Sequence, residues 1–258
     1  MRTYIGTSGY QYKHWNNGVF YPRGVRDRLA YALERMTAVE INSSFYRIPP
    51  PETVAAWASA IPEGRKMVLK APQSVTHRRR LKLHSEGGVR QGADLLAYFI
   101  GGALQIPPDK RGPVLLQLPS QMHIDLARLE PVLALLAGHG LRAALEIRHA
   151  SWFVDATLSL LERYGAALVA SDWPEFSTPL VRTCDFLYLR RHGPGALYAS
   201  SYGDDALLAD LEQLRALFAG PTDSAYVFFN NDIHGHAPRD AMRMMALLAD
   251  TAPPPRQR

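Results

Sequence analysis

A single cysteine, Cys184, stands in a chain of 258 residues. It excludes any intrachain disulfide, sets aside small disulfide-built scaffolds and makes a reducing, cytoplasmic setting the expectation. Long apolar runs are missing too: no stretch approaches the ~20 residues that a membrane span needs, and MRTYIGTSGY has no uninterrupted apolar core of a secretory signal. Several chemistries lack their usual signatures. There is no GxSxG nucleophile elbow, no Walker A loop and no GxGxxG turn after the first apolar run, so no organic cofactor is expected. The nine histidines are scattered and show no HExxH or similar spacing for zinc. Neither charge sign dominates. Lys and Arg number 29 against 24 Asp and Glu, a net +5 that suits an anionic ligand or nucleic acid without requiring either.

What is present is a repeating order. Eight short, near-continuously apolar runs fall at 3–9, 38–46, 66–72, 113–119, 142–148, 166–172, 185–191 and 225–231. Runs of this kind suit parallel strands covered on both faces. Between them lie amphipathic segments at 26–36, 51–61, 90–105, 125–140, 155–165, 206–220 and 239–250. Pro51 fits a first helical position, whereas Pro131 predicts a kink, or a helix that starts near Glu130. A series of eight strand–helix units in about 250 residues predicts a single-domain α/β fold, a (β/α)8 TIM barrel over 1–250. The tail TAPPPRQR (251–258) is expected to be disordered. A doubly wound open sheet is the alternative.

The polar residues of most runs sit near their C-terminal ends, where barrel enzymes keep their active sites. Side chains alternate faces along a strand. Glu40 and Asn42 therefore share a face opposite Val39 and Ile41, Glu146 and Arg148 share one opposite Leu145 and Ile147, and Tyr188, Arg190 and His192 share one opposite Leu187 and Leu189. The polar set is expected to face the barrel mouth. Glu40, Lys70, Glu146, Asp172 and His192 are the candidate catalytic residues. Ser8, Asn42, Tyr46, His77, Gln117, Arg148, Arg190, Asn230, Asn231 and Asp232 are the candidate binding residues. An internal ion-pair lattice that merely closes the barrel is the competing reading, because buried charge must be paired in either case. The segment 72–88, with Arg78, Arg79, Arg80 and Lys82, is expected to be a long basic loop, and Trp15, Tyr21 and Trp152 to be rim or packing aromatics.

The motifs GTSGY (6–10) with Trp15 and Phe20 to Pro22, VEINSSFY (39–46), Lys70-Ala71-Pro72 with THRRRL (76–81), LLQLP (115–119), LEIRHASW (145–152), SDWP (171–174), YLRRHG (188–193) and FNNDIHGHA (229–237) together resemble the DUF72, or YecE-like, family. The resemblance covers nearly the whole chain. It implies a TIM barrel and brings no established activity. Tyr10 stands where Trp is commoner, Ser120 where a second proline is usual, and Asp240 where the family often has Asn.

Three functions are compatible with these residues. The first is an enzyme acting on an anionic substrate, a phosphate ester among the candidates: a hydrolase, lyase or isomerase with a carboxylate base, His192 as proton shuttle and a Lys/Arg anion clamp. Its carboxylates leave room for Mg²⁺ or Mn²⁺. The second is a nucleic-acid-processing or nucleic-acid-binding protein, motivated by the basic loop, the positive net charge and the rim aromatics. The third is a non-catalytic ligand-binding module. Oligomeric state is not legible.

Overall fold

The computed structural model describes residues 2–84, 91–217, 220 and 223–251; the expected tail from 252 onward and residues 85–88 at the end of the basic loop lie outside them. Strands form where the apolar runs predict them: β1 (Arg2–Ser8), β2 (Ala38–Ile41), β3 (Lys66–Leu69), β4 (Val114–Gln117), β5 (Ala143–Glu146), β6 (Ala167–Ser171), β7 (Phe186–Arg191) and β8 (Ser224–Phe229). All neighbours pair in parallel, in the order β3-β2-β1-β8-β7-β6-β5-β4. The ends of that series meet through parallel bridges Met67–Arg111 and Lys70–Leu115, with Gly112 N donating to Met67 O at 2.8 Å and Ala71 N to Leu115 O at 2.8 Å. The result is an eight-stranded barrel of the TIM type, a single α/β domain.

The helices are α1 (Arg28–Arg35), α2 (Ser43–Tyr46), α3 (Pro51–Ser59), α4 (Gly92–Ala103), α5 (Leu126–Gly138), α6 (Asp155–Arg163), α7 (Asp204–Leu217) and α8 (His236–Asp250). Asp27 and Asp125 cap α1 and α5 by accepting from Ala30 N and Arg128 N, which satisfies an otherwise orphan donor at each start. Two expectations change. A helix start near Glu130 is not found: α5 begins at Leu126 and runs through Pro131, where proline gives up one intrahelical bond and crowds the carbonyl of Ala127. No helix joins β6 to β7: Thr178 turns back to pair antiparallel with Ser171, so the sixth unit is a loop and the strand–helix series is not unbroken.

Alternation along the strands separates two cores. Outward residues such as Val39, Ile41, Leu145, Leu187 and Leu189 pack under the helices. Inward residues Ala38, Val68, Leu115, Ala144, Val169, Phe186, Tyr188, Tyr226 and Phe228 fill the barrel, with Tyr4, Tyr226 and Tyr188 stacked at centroid spacings of 5.1 and 6.1 Å. The barrel is therefore solid, and any ligand must sit above this layer. Gly6 takes an inward position where β1 and β2 approach closely: a Cβ there would lie 1.7 Å from the carbonyl oxygen of Ala38.

Candidate active site at the barrel mouth

The inward positions just above the apolar layer carry the charges. β2 ends early because Ser44, in α2, donates from its hydroxyl to Ile41 O and Lys70 O, each at 2.7 Å. This turns the expected strand 38–46 into a short helix after Ile41 and leaves Glu40 as the last inward residue of β2. Arg190, only 1% exposed, crosses the barrel between two carboxylates. Its Nε and Nη2 donate to Glu40 at 3.2 and 2.8 Å, its Nη1 donates to Glu146 at 2.6 Å, and its Nη2 reaches Ser8 Oγ at 2.7 Å. Glu40 also accepts from the Ser8 and Tyr188 hydroxyls. Glu146 takes Arg148 Nε at 2.6 Å on its other oxygen. Both oxygens of each carboxylate are thus occupied.

Above this lattice opens a cavity of about 540 Å³. Lys70, Gln117, Arg148, Arg190, Asn42 and Asn230 bring polar groups to it, and Tyr12, Phe45, Tyr46, Trp173 and Tyr198 supply aromatic wall. Gln73, His77 and Asp232 complete the lining. The Arg148 guanidinium lies 3.6 Å from the Trp173 ring centre, and Lys70 Nζ 4.3 Å from that of Phe45; each is a cation–π arrangement. Asn42 Oδ1 and Trp173 Nε1 are buried without a hydrogen-bond partner. A larger cleft, about 670 Å³, lies beside the barrel against Tyr10, Val25 and Trp57, away from the convergent polar groups.

Burial and charge set the protonation states. Lys70 is pushed down to about 7, first by desolvation and then by the Arg190 charge, which Glu146 and Glu40 only partly offset. It forms no ion pair within 4 Å among the described residues; its Nζ meets Gln117 Oε1 at 2.5 Å. Burial would raise Glu146, but Arg190 and Arg148 outweigh it and hold the carboxyl well below its usual range. Burial likewise opposes the charge of Arg190, and Glu146 and Glu40 overcome it, raising that guanidinium further. His77 falls to about 4 by desolvation and by the Lys70 charge. His192 is also lowered, chiefly by burial, with Asp172 pulling the other way.

Most of the expected residues converge, but not all in the expected role. His192 is fully buried beneath Trp173 and Tyr198, at ring spacings of 5.3 and 6.1 Å, and does not line the cavity. Asp172 stands behind it: one oxygen accepts from His192 N at 2.7 Å and the other from the Tyr202 hydroxyl. Asn231 faces outward and holds Ser200 O and Asp240 at 2.8 and 2.7 Å. Asp240 also accepts from Ser201 and Tyr202, so it braces this loop. Ser8 lies in the lattice, and Tyr46 is 72% exposed at the rim. Trp15, Tyr21 and Trp152 are buried and bonded to backbone oxygens, a packing role. The basic loop is partly ordered, with a π-helical turn at Ser74–Arg78 and Leu81 and Leu83 buried. Tyr12, Phe45, Gln73, Trp173 and Tyr198 were not among the expected lining residues; Phe45 comes from the one-turn helix α2 and the others from loops, where no periodicity marks a facing side chain.

The donor set does not fit Mg²⁺ or Mn²⁺. Arg190 bridges Glu40 and Glu146 and uses the oxygens a hard cation would need. Among the described residues no group of three His, Cys, Asp or Glu side chains is placed to hold a metal.

A parallel α/β barrel with polar groups gathered at its C-terminal mouth is the class these features define. The chain belongs to the DUF72 family: the model for "Protein of unknown function DUF72" matches residues 4–258. Among solved structures it is similar to a DUF72 family protein from Thermotoga maritima, at 24% identity and TM-score 0.77 over 96% of this chain and 100% of that one. A DUF72 family protein from Enterococcus faecalis is also similar, at 19% identity and TM-score 0.76 over 99% of both chains. At these identities the likeness carries the fold. No curated protein matches. Among the described residues no helix is long and apolar enough to cross a membrane.

Proposed function

We propose that the barrel mouth is the substrate site of an enzyme acting on an anionic small molecule. Lys70 and Arg148 hold the anion, and Phe45, Tyr46, Trp173 and Tyr198 wall the rest of the ligand. The observation that carries this reading is the state of Lys70: a buried cation at the cavity with no carboxylate in ion-pair contact among the described residues. Leaving such a charge uncompensated is costly, and a bound anion would complete it. Glu40, Glu146 and His192 take no acid–base part in this proposal, because the two carboxylates are consumed by arginines and the imidazole is covered. Those groups position the cations instead. This keeps the anion clamp of the expected function and moves the reactive group to Lys70.

Sulfate, a dianion across the working range, tests the site by thermal shift and calorimetry. An anion needs the ammonium form of Lys70, so affinity is expected to fall as pH rises above about 7. At a hundred times its dissociation constant sulfate should stabilise the fold by about 2.7 kcal/mol. Arg148→Gln is expected to weaken binding at least tenfold. Binding unchanged by pH and by Arg148→Gln would refute the proposal. Nucleic acid, the alternative partner, rests on the basic segment around Arg78 and Lys82 alone; tight oligonucleotide binding that weakens steeply with salt and survives Arg148→Gln would favour it instead.

A further inference from the structure

We infer that Lys70 is an imine-forming residue and that the anionic substrate carries an aldehyde or ketone group, as in an oxo acid or a phosphorylated carbonyl compound. The inference rests on the anion-site reading and specifies its chemistry.

The geometry leaves room for a nucleophilic amine: among the described residues no carboxylate pairs with Lys70, and of its close contacts only the Phe45 ring face favours its ammonium form. Lys70 follows the last residue of β3 and takes the next inward position, so its side chain rises from the floor into the cavity. Among the described residues its one hydrogen-bond partner is neutral: the Gln117 side-chain oxygen accepts from Nζ at 2.5 Å. A carbonyl acceptor is satisfied by an –NH₂ as well as by an –NH₃⁺, whereas a carboxylate would lock the charged form. The Gln117 contact fixes one N–H direction, and the Phe45 face, 4.3 Å from Nζ, covers another side. The charged groups around Lys70 come from several strands. Arg190 on β7 and Arg148 beyond β5 oppose the ammonium, while Glu146 on β5 and Glu40 on β2 favour it and are themselves neutralised by those arginines. His77, on the loop after β3, is neutral near pH 7. Desolvation decides the balance, and a substantial amine fraction exists at neutral pH.

The step balances without a co-reactant. The Nζ lone pair attacks the carbonyl carbon, and one of the two amine protons passes to the carbonyl oxygen to give a carbinolamine. The hydroxyl then leaves as water with the remaining N–H proton, and a C=N bond replaces C=O. Arg148 holds the anionic end of the substrate while this occurs. The imine draws electrons from the neighbouring carbon and so permits cleavage of a C–H or C–C bond there.

Glyoxylate with cyanoborohydride is the probe: an imine formed with the aldehyde is trapped as a secondary amine. The chain has five lysines, at 13, 66, 70, 82 and 110, so peptide mapping by mass spectrometry resolves each rate. At pH 7 Lys70 is expected to react at least tenfold faster than Lys13, Lys82 and Lys110, its rate is expected to level off above about pH 7, and sulfate should slow Lys70 alone. Lys70 reacting no faster than the others, or rising with them up to pH 10, overturns the inference. Lys70→Arg separates the two readings: it keeps a cation for sulfate and cannot form an imine. Sulfate binding that persists in wild type and Lys70→Arg while Lys70 stays unlabelled leaves the anion site standing and removes the imine. Sulfate binding lost in wild type removes the anion site itself.

Discussion

Replacing Glu146 with Gln keeps the shape of the side chain and removes one charge from the lattice under the cavity. In the native fold Glu146 accepts from Arg190 Nη1 at 2.6 Å and from Arg148 Nε at 2.6 Å, with its side chain fully buried. Gln can offer one oxygen, and its NH₂ must then face a guanidinium. Removing one partner of a buried ion pair costs about 3–5 kcal/mol, because the remaining charge stays out of water. For a domain of this size each kcal/mol moves Tm by about 2–4 °C, so the expected fall is roughly 6–20 °C. Circular dichroism during heating and in urea at pH 7 measures it. The pH dependence follows from the sign of the shift. The folded pKa of Glu146 lies below its ordinary value of 4.5, so its stabilisation is complete above that value and is lost as pH falls toward the folded pKa. Wild type and Glu146→Gln should therefore converge only in strong acid. A loss under about 1 kcal/mol at pH 7 would mean that the arginines are solvated or re-paired, and the lattice would not be what holds them.

Lys70→Met removes a buried charge that the fold opposes. Between about 7 and 10.5 the unfolded chain binds a proton that folded Lys70 does not, so wild-type stability rises with pH across that window. The variant is expected to be more stable than wild type at pH 6, by on the order of a few kcal/mol, with the gap closing toward pH 10; urea midpoints at the two pH values give the answer, and a variant that is less stable at pH 6 contradicts it. Gly6→Ala forces a methyl against the Ala38 backbone carbonyl. A loss of about 3 kcal/mol or more is expected, and urea unfolding that shows the variant as stable as wild type would mean that β1 and β2 can separate there.

The barrel was legible because its strands are near-continuous apolar runs, and because alternation fixes which residue of each pair turns inward. The same rule assigns Asn231: with Phe228 inward in β8, Asn230 and Asp232 follow on that face and Asn231 does not. Its place behind the barrel, bonded to Asp240, was readable by parity. Other features were not. Both Glu40 and Glu146 could be seen to face the mouth, but not that one arginine from β7 would span them, since that depends on the barrel's width and stagger. No amphipathic segment was read in 172–185, yet nothing in that stretch showed how its loop folds so that Trp173 caps His192 and stacks on Arg148. Loop residues carry no period, so their facing is set by tertiary contacts alone.

The most direct test of the central claim is an anomalous difference map from crystals soaked in selenate. A peak is expected above the floor of the mouth, within hydrogen-bond distance of Lys70 Nζ and the Arg148 guanidinium. Selenate bound elsewhere on the surface, with no peak at the mouth at millimolar concentration and pH 6, would contradict an anion site there.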